Sequence, residues 1–177
     1  MASIWDIIDT DAMLNAIRRR EVSTDAADPS APLMPREDML SSKGATGEMQ
    51  IIPKMAADPG YGAPTIFDIG ETMGFDTQKR DEATARALAN DPAVAREYAK
   101  QYLGAMYNRF GSVDEAAAAY NLGPGGLLRA DSKFERLPEE TRGYVSDVRR
   151  FYQEDTGEPY GITIAPRPRS RPKGLLQ

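Results

Sequence analysis

Residues 91–126, DPAVAREYAKQYLGAMYNRFGSVDEAAAAYNLGPGG, carry the signals that decide the fold. Asp91 followed by Pro92 predicts the N-cap and first position of a helix, because proline loses no hydrogen bond there. Apolar residues then recur every four positions, which indicates one buried helix face that ends at Gly111. The members of this stripe are Val94, Tyr98, Tyr102, Met106 and Phe110. We therefore predict a long helix across this segment.

A second helix is predicted immediately afterwards. Ser112 and Glu115 have the spacing of a capping box, and an alanine-rich run follows them. Gly123 and Pro124 then predict the end of the helix. The same stretch therefore indicates two consecutive helices joined by a short turn.

Helical spacing also dominates the rest of the chain. It predicts helices at about 80–89 and 139–153, and an N-terminal pair of short helices, or one helix broken near residues 9–11. The apolar residues of this N-terminal part are Ile4, Ile7, Ile8, Met13, Leu14 and Ile17. No strand ladder or internal repeat is evident, so the predicted fold class is mainly α.

Composition favours one domain with a tail. The chain has 177 residues, of which 41% are hydrophobic and 28% charged, as in an ordinary soluble globular protein. We assign residues 1–155 to the domain and 156–177 to an extended basic, proline-rich tail. No apolar run is long enough to span a membrane, and the net charge of −5 argues against a specific nucleic-acid partner.

The absence of histidine and cysteine restricts the possible chemistry. It excludes a Ser-His-Asp triad, a thiol nucleophile and an ordinary zinc site. No phosphate-binding loop or EF-hand spacing occurs either. Acid–base catalysis near neutral pH would then require a carboxylate, tyrosine or lysine in a tuned environment, and a carboxylate is the first expectation.

Glu21 is one candidate for that carboxylate. Leu14, Ile17 and Glu21 share one helix face, because they are three and four residues apart. A carboxylate at the end of an apolar stripe loses contact with water, which raises its pKa towards the value that a general acid needs. The alternative is a glutamate at a helix end that pairs with a neighbouring arginine on the surface.

Three further segments occur in a fixed order: SSKGATGEMQIIPKMA at 41–56, AAAAYNLGPGG at 116–126 and LPEETRGYV at 137–145. This order resembles lytic transglycosylases of the lysozyme-like superfamily. DPGYG at 58–62 resembles the phage-associated branch. The matching positions are Ser41, Gly44, Ala45, Gly47, Met49, Gln50, Pro53, Ala119, Tyr120, Asn121, Gly123, Pro124, Gly125, Glu140, Thr141, Arg142, Tyr144 and Val145. The resemblance spans about residues 12–152 and implies a single helical lysozyme-like domain with a substrate cleft.

The first motif of the family departs from its usual form here. The family shows Glu-Ser at a helix end, whereas Glu21 is followed by Val22 and Ser23, and a longer loop leads to Ser41. Glu37 is the competing catalytic candidate, although it lies in a proline-flanked loop without a preceding apolar helix. We place the catalytic acid at Glu21 and keep Glu37 as the alternative. Glu48 holds a variable position and is expected to line the cleft or face solvent.

The resemblance also implies substrate-binding residues. These are Ser41, Met49, Gln50, Tyr120, Asn121 and Tyr144. Ser41 is expected to hydrogen-bond the catalytic carboxylate, Asn121 to bind an N-acetyl group, and Tyr144 to point its hydroxyl at the catalytic centre. From the residues alone, Met49 and Tyr144 could equally be core, Gln50 a turn-stabilising amide and Tyr120-Asn121 a helix cap.

The implied substrate is the peptidoglycan glycan strand, cleaved between N-acetylmuramic acid and N-acetylglucosamine. We assign no second carboxylate to the catalytic motifs, so a two-carboxylate glycosidase mechanism is not supported. The resemblance implies instead that Glu21 acts first as acid and then as base, closing a 1,6-anhydro ring. No metal or cofactor is required. The alternatives are a hydrolytic lysozyme on the same fold and a largely structural virion protein that retains the domain.

We expect the protein to be carried in a bacteriophage particle and to act in the host periplasm during entry. The N-terminus MASIWDIIDTDAM lacks a basic segment before an apolar stretch, so no secretory signal is predicted. The tail carries four basic and no acidic residues from 162 onward, and we expect it to dock on other virion proteins or anionic wall polymer. The alternative is a disordered end without a docking role.

Overall fold

The computed structural model describes residues 3–25, 31–34 and 39–160. This part of the chain is mainly helical, as predicted. Its α-helices are α1 (Thr10–Val22), α2 (Pro53–Ala57), α3 (Ile66–Thr72), α4 (Glu82–Asn90), α5 (Pro92–Phe110), α6 (Val113–Leu122), α7 (Pro124–Arg129) and α8 (Glu139–Thr156). Within these ranges the β-type pairing is limited to isolated bridges, such as Thr46 with Ile51.

The helix ends fall where the sequence signals put them. The Asp91 side chain accepts from the first-turn amides of α5, and Gly111 ends that helix with a φ of 99°. Ser112 caps α6 through the backbone N–H of Glu115. The predicted break in the N-terminal helix is also confirmed, because Asp9 caps α1 after a short 3-10 turn at Ile4–Asp6.

Three short helices were not predicted: α2, α3 and α7. Each has seven residues or fewer, so its apolar pattern is too brief to show a helical period. Pro53 and Pro124 occupy the first positions of α2 and α7, where proline initiates a helix although it also resembles a loop signal.

Helix α5 lies between two groups of helices. The first group is α2, α3 and α4, of which α3 and α4 contact α5. The second group is α1, α6 and α8; α1 and α6 contact α5, and α8 packs on both α1 and α6. The alanines of α6 from Ala116 to Ala119 are fully buried, and their small side chains let α5 and α8 each pack closely on α6. The cleft described below lies between these two groups.

The packed chain continues past the end of α8. Gly157 ends the helix in the left-handed conformation, and Tyr160 returns to the core with 5% exposure. Its ring packs edge-on against Tyr152, with centroids 5.1 Å apart. The remainder of the predicted tail, residues 161–177, lies outside the described residues. No helix in the described ranges is both long enough and apolar enough to cross a membrane.

Candidate active site

Glu21 lies in the last turn of α1, at the floor of a cavity of about 410 Å³. Leu14 and Ile17 anchor its helix in the core, with exposures of 2% and 0%. The Tyr144 hydroxyl, from α8, donates a hydrogen bond of 2.8 Å to Glu21 Oε1. Tyr144 is itself 1% exposed, so the packing of α1 on α8 fixes both partners. The predicted orientation of Tyr144 towards the carboxylate is therefore present.

Burial raises the pKa of Glu21 from 4.5 to about 7. The hydrogen bond from Tyr144 and the charge of Arg20 act against this rise, while the charge of Glu140 adds to it. Near neutral pH the carboxyl group is thus divided between its acid and its carboxylate form, as a group that both donates and accepts a proton requires.

The neighbouring arginines of α1 form ion pairs away from Glu21. Arg18 binds Glu48 at 2.8 Å, Arg19 binds two acidic residues of α8, and Arg20 binds Asp147 at 3.0 Å. The alternative of a surface glutamate paired with an arginine is therefore not what the structure shows.

The glycine segment forms a tight turn against α4. Gly44 and Gly47 have φ values of 81° and 71°. A Cβ on Gly47 would lie 2.5 Å from the carbonyl oxygen of Ala89, so only glycine fits this close approach. The Thr46 hydroxyl donates to Asn90 Oδ1 at 2.7 Å. These contacts fix the turn that carries Ser41 and Gln50 into the cleft wall.

Ser41 and Gln50, two of the predicted binding residues, both line the cleft but form different hydrogen bonds. Ser41 lines the cleft, but its hydroxyl accepts from the Ala45 amide at 3.0 Å, and the hydrogen bond found for the Glu21 carboxylate comes from Tyr144. Gln50 lines the cleft with a φ of 46°, and its amide nitrogen donates to the Met39 and Gly47 carbonyls at 3.0 Å. It therefore stabilises the turn from a position that substrate can reach.

Met49 is fully buried, with 0% exposure, and belongs to the core. Its carbonyl oxygen accepts a 2.9 Å hydrogen bond from the Tyr120 hydroxyl. This bond joins the glycine turn to the end of α6. The predicted contact of Met49 with sugar stays a prediction, whereas its packing role is evident.

Tyr120 and Asn121 enter the cleft from the end of α6. Asn121 Oδ1 accepts from the Thr141 hydroxyl at 2.9 Å, which orients the amide relative to α8. Burial raises the pKa of Tyr120 well above its ordinary value, so its hydroxyl stays a neutral donor. The Tyr-Asn pair is thus held rigidly in the wall.

The structure adds residues that sequence reasoning missed as part of the site. Tyr98 and Tyr102 of α5 line the cleft, although their spacing indicated only a buried stripe. Lys43 and Glu140 also line it. Glu21 therefore shares the cleft with a second carboxylate. Glu140 is in the first turn of α8, next to Thr141, and its place in the last motif could have identified it.

The sequence also offered two other glutamates for the cleft. Glu48 is not among the residues that line it, and its carboxylate pairs with Arg18 at 2.8 Å. Glu37 lies outside the described residues. Among the described residues, no cluster of three or more carboxylates is placed to hold a metal ion.

Comparison with known protein families accounts for most of these features. The family described as Transglycosylase SLT domain matches residues 34–142, which is more than half of the chain. The match includes the glycine turn, the Tyr-Asn pair and Glu140, and it begins after Glu21. A comparison with curated proteins gave no match. The chain belongs to the transglycosylase SLT domain family and is a lytic-transglycosylase-type enzyme of the lysozyme-like superfamily, acting on peptidoglycan.

Proposed function

We propose that the enzyme cleaves the β-1,4 bond between N-acetylmuramic acid and N-acetylglucosamine, with Glu21 as its single acid–base group. The family match starts at residue 34, after Glu21, so the assignment of Glu21 as the catalytic acid rests on the geometry of the cleft. The observation that best supports the assignment is the Glu21 carboxyl group at the floor of the cleft. Burial raises its pKa to about 7, and a hydrogen bond from Tyr144 orients it. General acid–base catalysis is strongest when the pKa lies near the working pH.

The first step uses the protonated form of Glu21. It donates its proton to the glycosidic oxygen, and the bond between C1 of the muramoyl sugar and that oxygen breaks. The carbonyl oxygen of the substrate's own N-acetyl group bonds to C1 and stabilises the positive charge. Asn121, which lines the cleft wall and accepts a hydrogen bond from Thr141, would orient that acetamido group.

The second step uses the carboxylate that the first one leaves. Glu21 accepts the proton of the C6 hydroxyl, and O6 attacks C1 as the bond to the N-acetyl oxygen breaks. The products are a 1,6-anhydromuramoyl end and a free hydroxyl on the leaving sugar. The proton returns to Glu21, and no water is consumed. Tyr144 remains a hydrogen-bond donor throughout, because burial raises its pKa well above the ordinary value.

A hydrolytic lysozyme is the second candidate, and Glu140 is the observation that favours it. A second carboxylate in the same cleft could activate water, as in two-carboxylate glycosidases. Under the hydrolytic mechanism, Glu140→Gln would abolish turnover. Under the single-glutamate mechanism the variant would still cleave glycan, and the pKa of Glu21 would fall because one repulsive charge is removed.

The test of the assignment compares Glu21→Gln with Glu37→Gln on purified peptidoglycan. We expect Glu21→Gln to lose activity by about 10⁴-fold, because one group fills both proton-transfer roles, and Glu37→Gln to stay active. The opposite result would move the catalytic acid to Glu37. If both variants cleaved normally, the proposed mechanism would be wrong.

The proposed setting is a bacteriophage particle, where the enzyme would open the wall during entry. The likeness of residues 58–62 to the phage-associated branch supports this proposal. Quantitative mass spectrometry of purified particles tests it: a fixed copy number per particle is expected, and absence from particles would contradict it.

A further inference from the structure

The turn between α2 and α3 has an unusual backbone. Gly60, Tyr61 and Gly62 are consecutive and have φ values of 67°, 54° and 79°. The Ala63 amide closes the turn with a 3.0 Å hydrogen bond to the Gly60 carbonyl. A tyrosine in the left-handed region costs about 1–2 kcal/mol, whereas glycine or asparagine would adopt the same φ more easily. The turn alone therefore does not explain why a tyrosine stands there.

The strained backbone holds the Tyr61 ring at the surface. The side chain is 46% exposed. The guanidinium of Arg109, from the last turn of α5, lies 5.9 Å from the ring centroid, which is a cation–π distance. The ring is thus oriented by its backbone and by Arg109, without being buried in the core.

Tyr61 lies next to the cleft. Pro59, two residues earlier, lines it, and so does Met55, whose side chain is 52% exposed. Burial raises the pKa of the cleft residue Tyr102 to about 12, and the nearby Tyr61 phenol adds to that rise. Met55 and Tyr61 therefore form an exposed apolar rim at the edge of the cleft, while the buried Pro59 lines the cleft wall between them in the chain.

We propose that Tyr61 is a sugar-stacking platform, which adds an outer subsite for one pyranose ring of the glycan strand. This inference rests on the proposed function. The C–H face of a pyranose is apolar and flat, so it covers an exposed aromatic ring, while its hydroxyls lie at the edge. At that edge the Arg109 guanidinium offers hydrogen-bond donors. The subsite would bind long strands without contacting the bond that is cleaved.

Binding without turnover tests the subsite. The parent protein is Glu21→Gln, and the probes are peptide-free glycan oligomers of two lengths, one filling only the cleft around Glu21 and one reaching the rim. In that background, Tyr61→Asn is expected to raise the calorimetric Kd of the long oligomer by about 5- to 10-fold and to leave the short one unchanged. Tyr61→Phe keeps the platform and should bind both oligomers as the parent does.

Phe75→Ala is the matched control, because Phe75 is 41% exposed and does not line the cleft. It should change neither Kd. Asparagine suits the left-handed turn, so Tyr61→Asn should fold; Tyr61→Gly is the second variant and should give the same two Kd values.

Two results would overturn the subsite: an unchanged Kd for the long oligomer in Tyr61→Asn, or equal losses for both lengths. In either case the parent still binds glycan and the proposed function stands. If the parent bound neither oligomer, the proposed function would fail and the outer subsite with it.

Discussion

Glu21→Gln is expected to stabilise the folded protein at neutral and alkaline pH while it removes activity. Burial raises the pKa of Glu21 from 4.5 to about 7, so the folded state holds this proton more tightly than the unfolded state does. The stabilisation from protonation is complete below the unfolded pKa and is lost as pH rises to the folded one. At 1.36 kcal/mol for each pH unit, the ionised carboxylate costs about 3 kcal/mol above neutral pH.

Glutamine removes this cost because it has nearly the same size, carries no charge and can still accept the Tyr144 hydroxyl. The free energy of unfolding of Glu21→Gln should exceed that of the wild type by about 1 kcal/mol near pH 5 and about 3 kcal/mol near pH 8. Urea denaturation at both pH values measures the difference. By thermal denaturation near pH 8 the variant should melt roughly 6–12 °C higher.

Glu48→Gln is the control for this experiment. It removes a glutamate that pairs with Arg18 near the surface, so it should lower stability by less than about 1 kcal/mol. If Glu21→Gln were equal to or less stable than the wild type at both pH values, Glu21 could not be desolvated and its raised pKa would be contradicted.

Other substitutions probe single contacts. Tyr144→Phe removes a hydrogen bond that favours the ionised form of Glu21, so the alkaline limb of the kcat/KM–pH profile should move to higher pH; a shift to lower pH would contradict the geometry. Gly47→Ala should lower the free energy of unfolding by more than about 3 kcal/mol, because its Cβ would meet a backbone oxygen. Gly44→Ala has open space at an equally left-handed φ and should cost only about 1–2 kcal/mol. Equal urea midpoints for the two variants would argue against the close approach at Gly47. Asn121→Ala should lower kcat by about 10²–10³-fold with a small change in Tm, and a large fall in Tm with activity intact would indicate a purely structural residue.

Local signals in the sequence predicted the long helices well. Asp91, Gly111 and Ser112 act through their own backbone neighbours, so their effects could be inferred from adjacent residues. The helices that escaped prediction, α2, α3 and α7, are too short to show a period and depend on packing for their stability.

The site could be predicted only in part, because its contacts join distant segments. Leu14 and Ile17 indicated a desolvated Glu21, but Tyr144, which donates to it, is 123 residues away. The family resemblance named that tyrosine, whereas spacing alone did not. The resemblance also paired Ser41 with the carboxylate, while in the structure Ser41 accepts from its own turn. Glu140 reaches the cleft through the packing of α8 on α1 and α6, so apart from the family motif its local sequence does not indicate that place.

The mass of the muramoyl ends that the enzyme makes shows directly whether the glycan is cleaved without water. Peptidoglycan digested in ¹⁸O-labelled water and analysed by mass spectrometry distinguishes ring closure by O6 from attack by water. We expect muramoyl ends that are lighter by one water than reducing ends and that contain no label. Labelled reducing ends as the main product would contradict this expectation and identify a hydrolase.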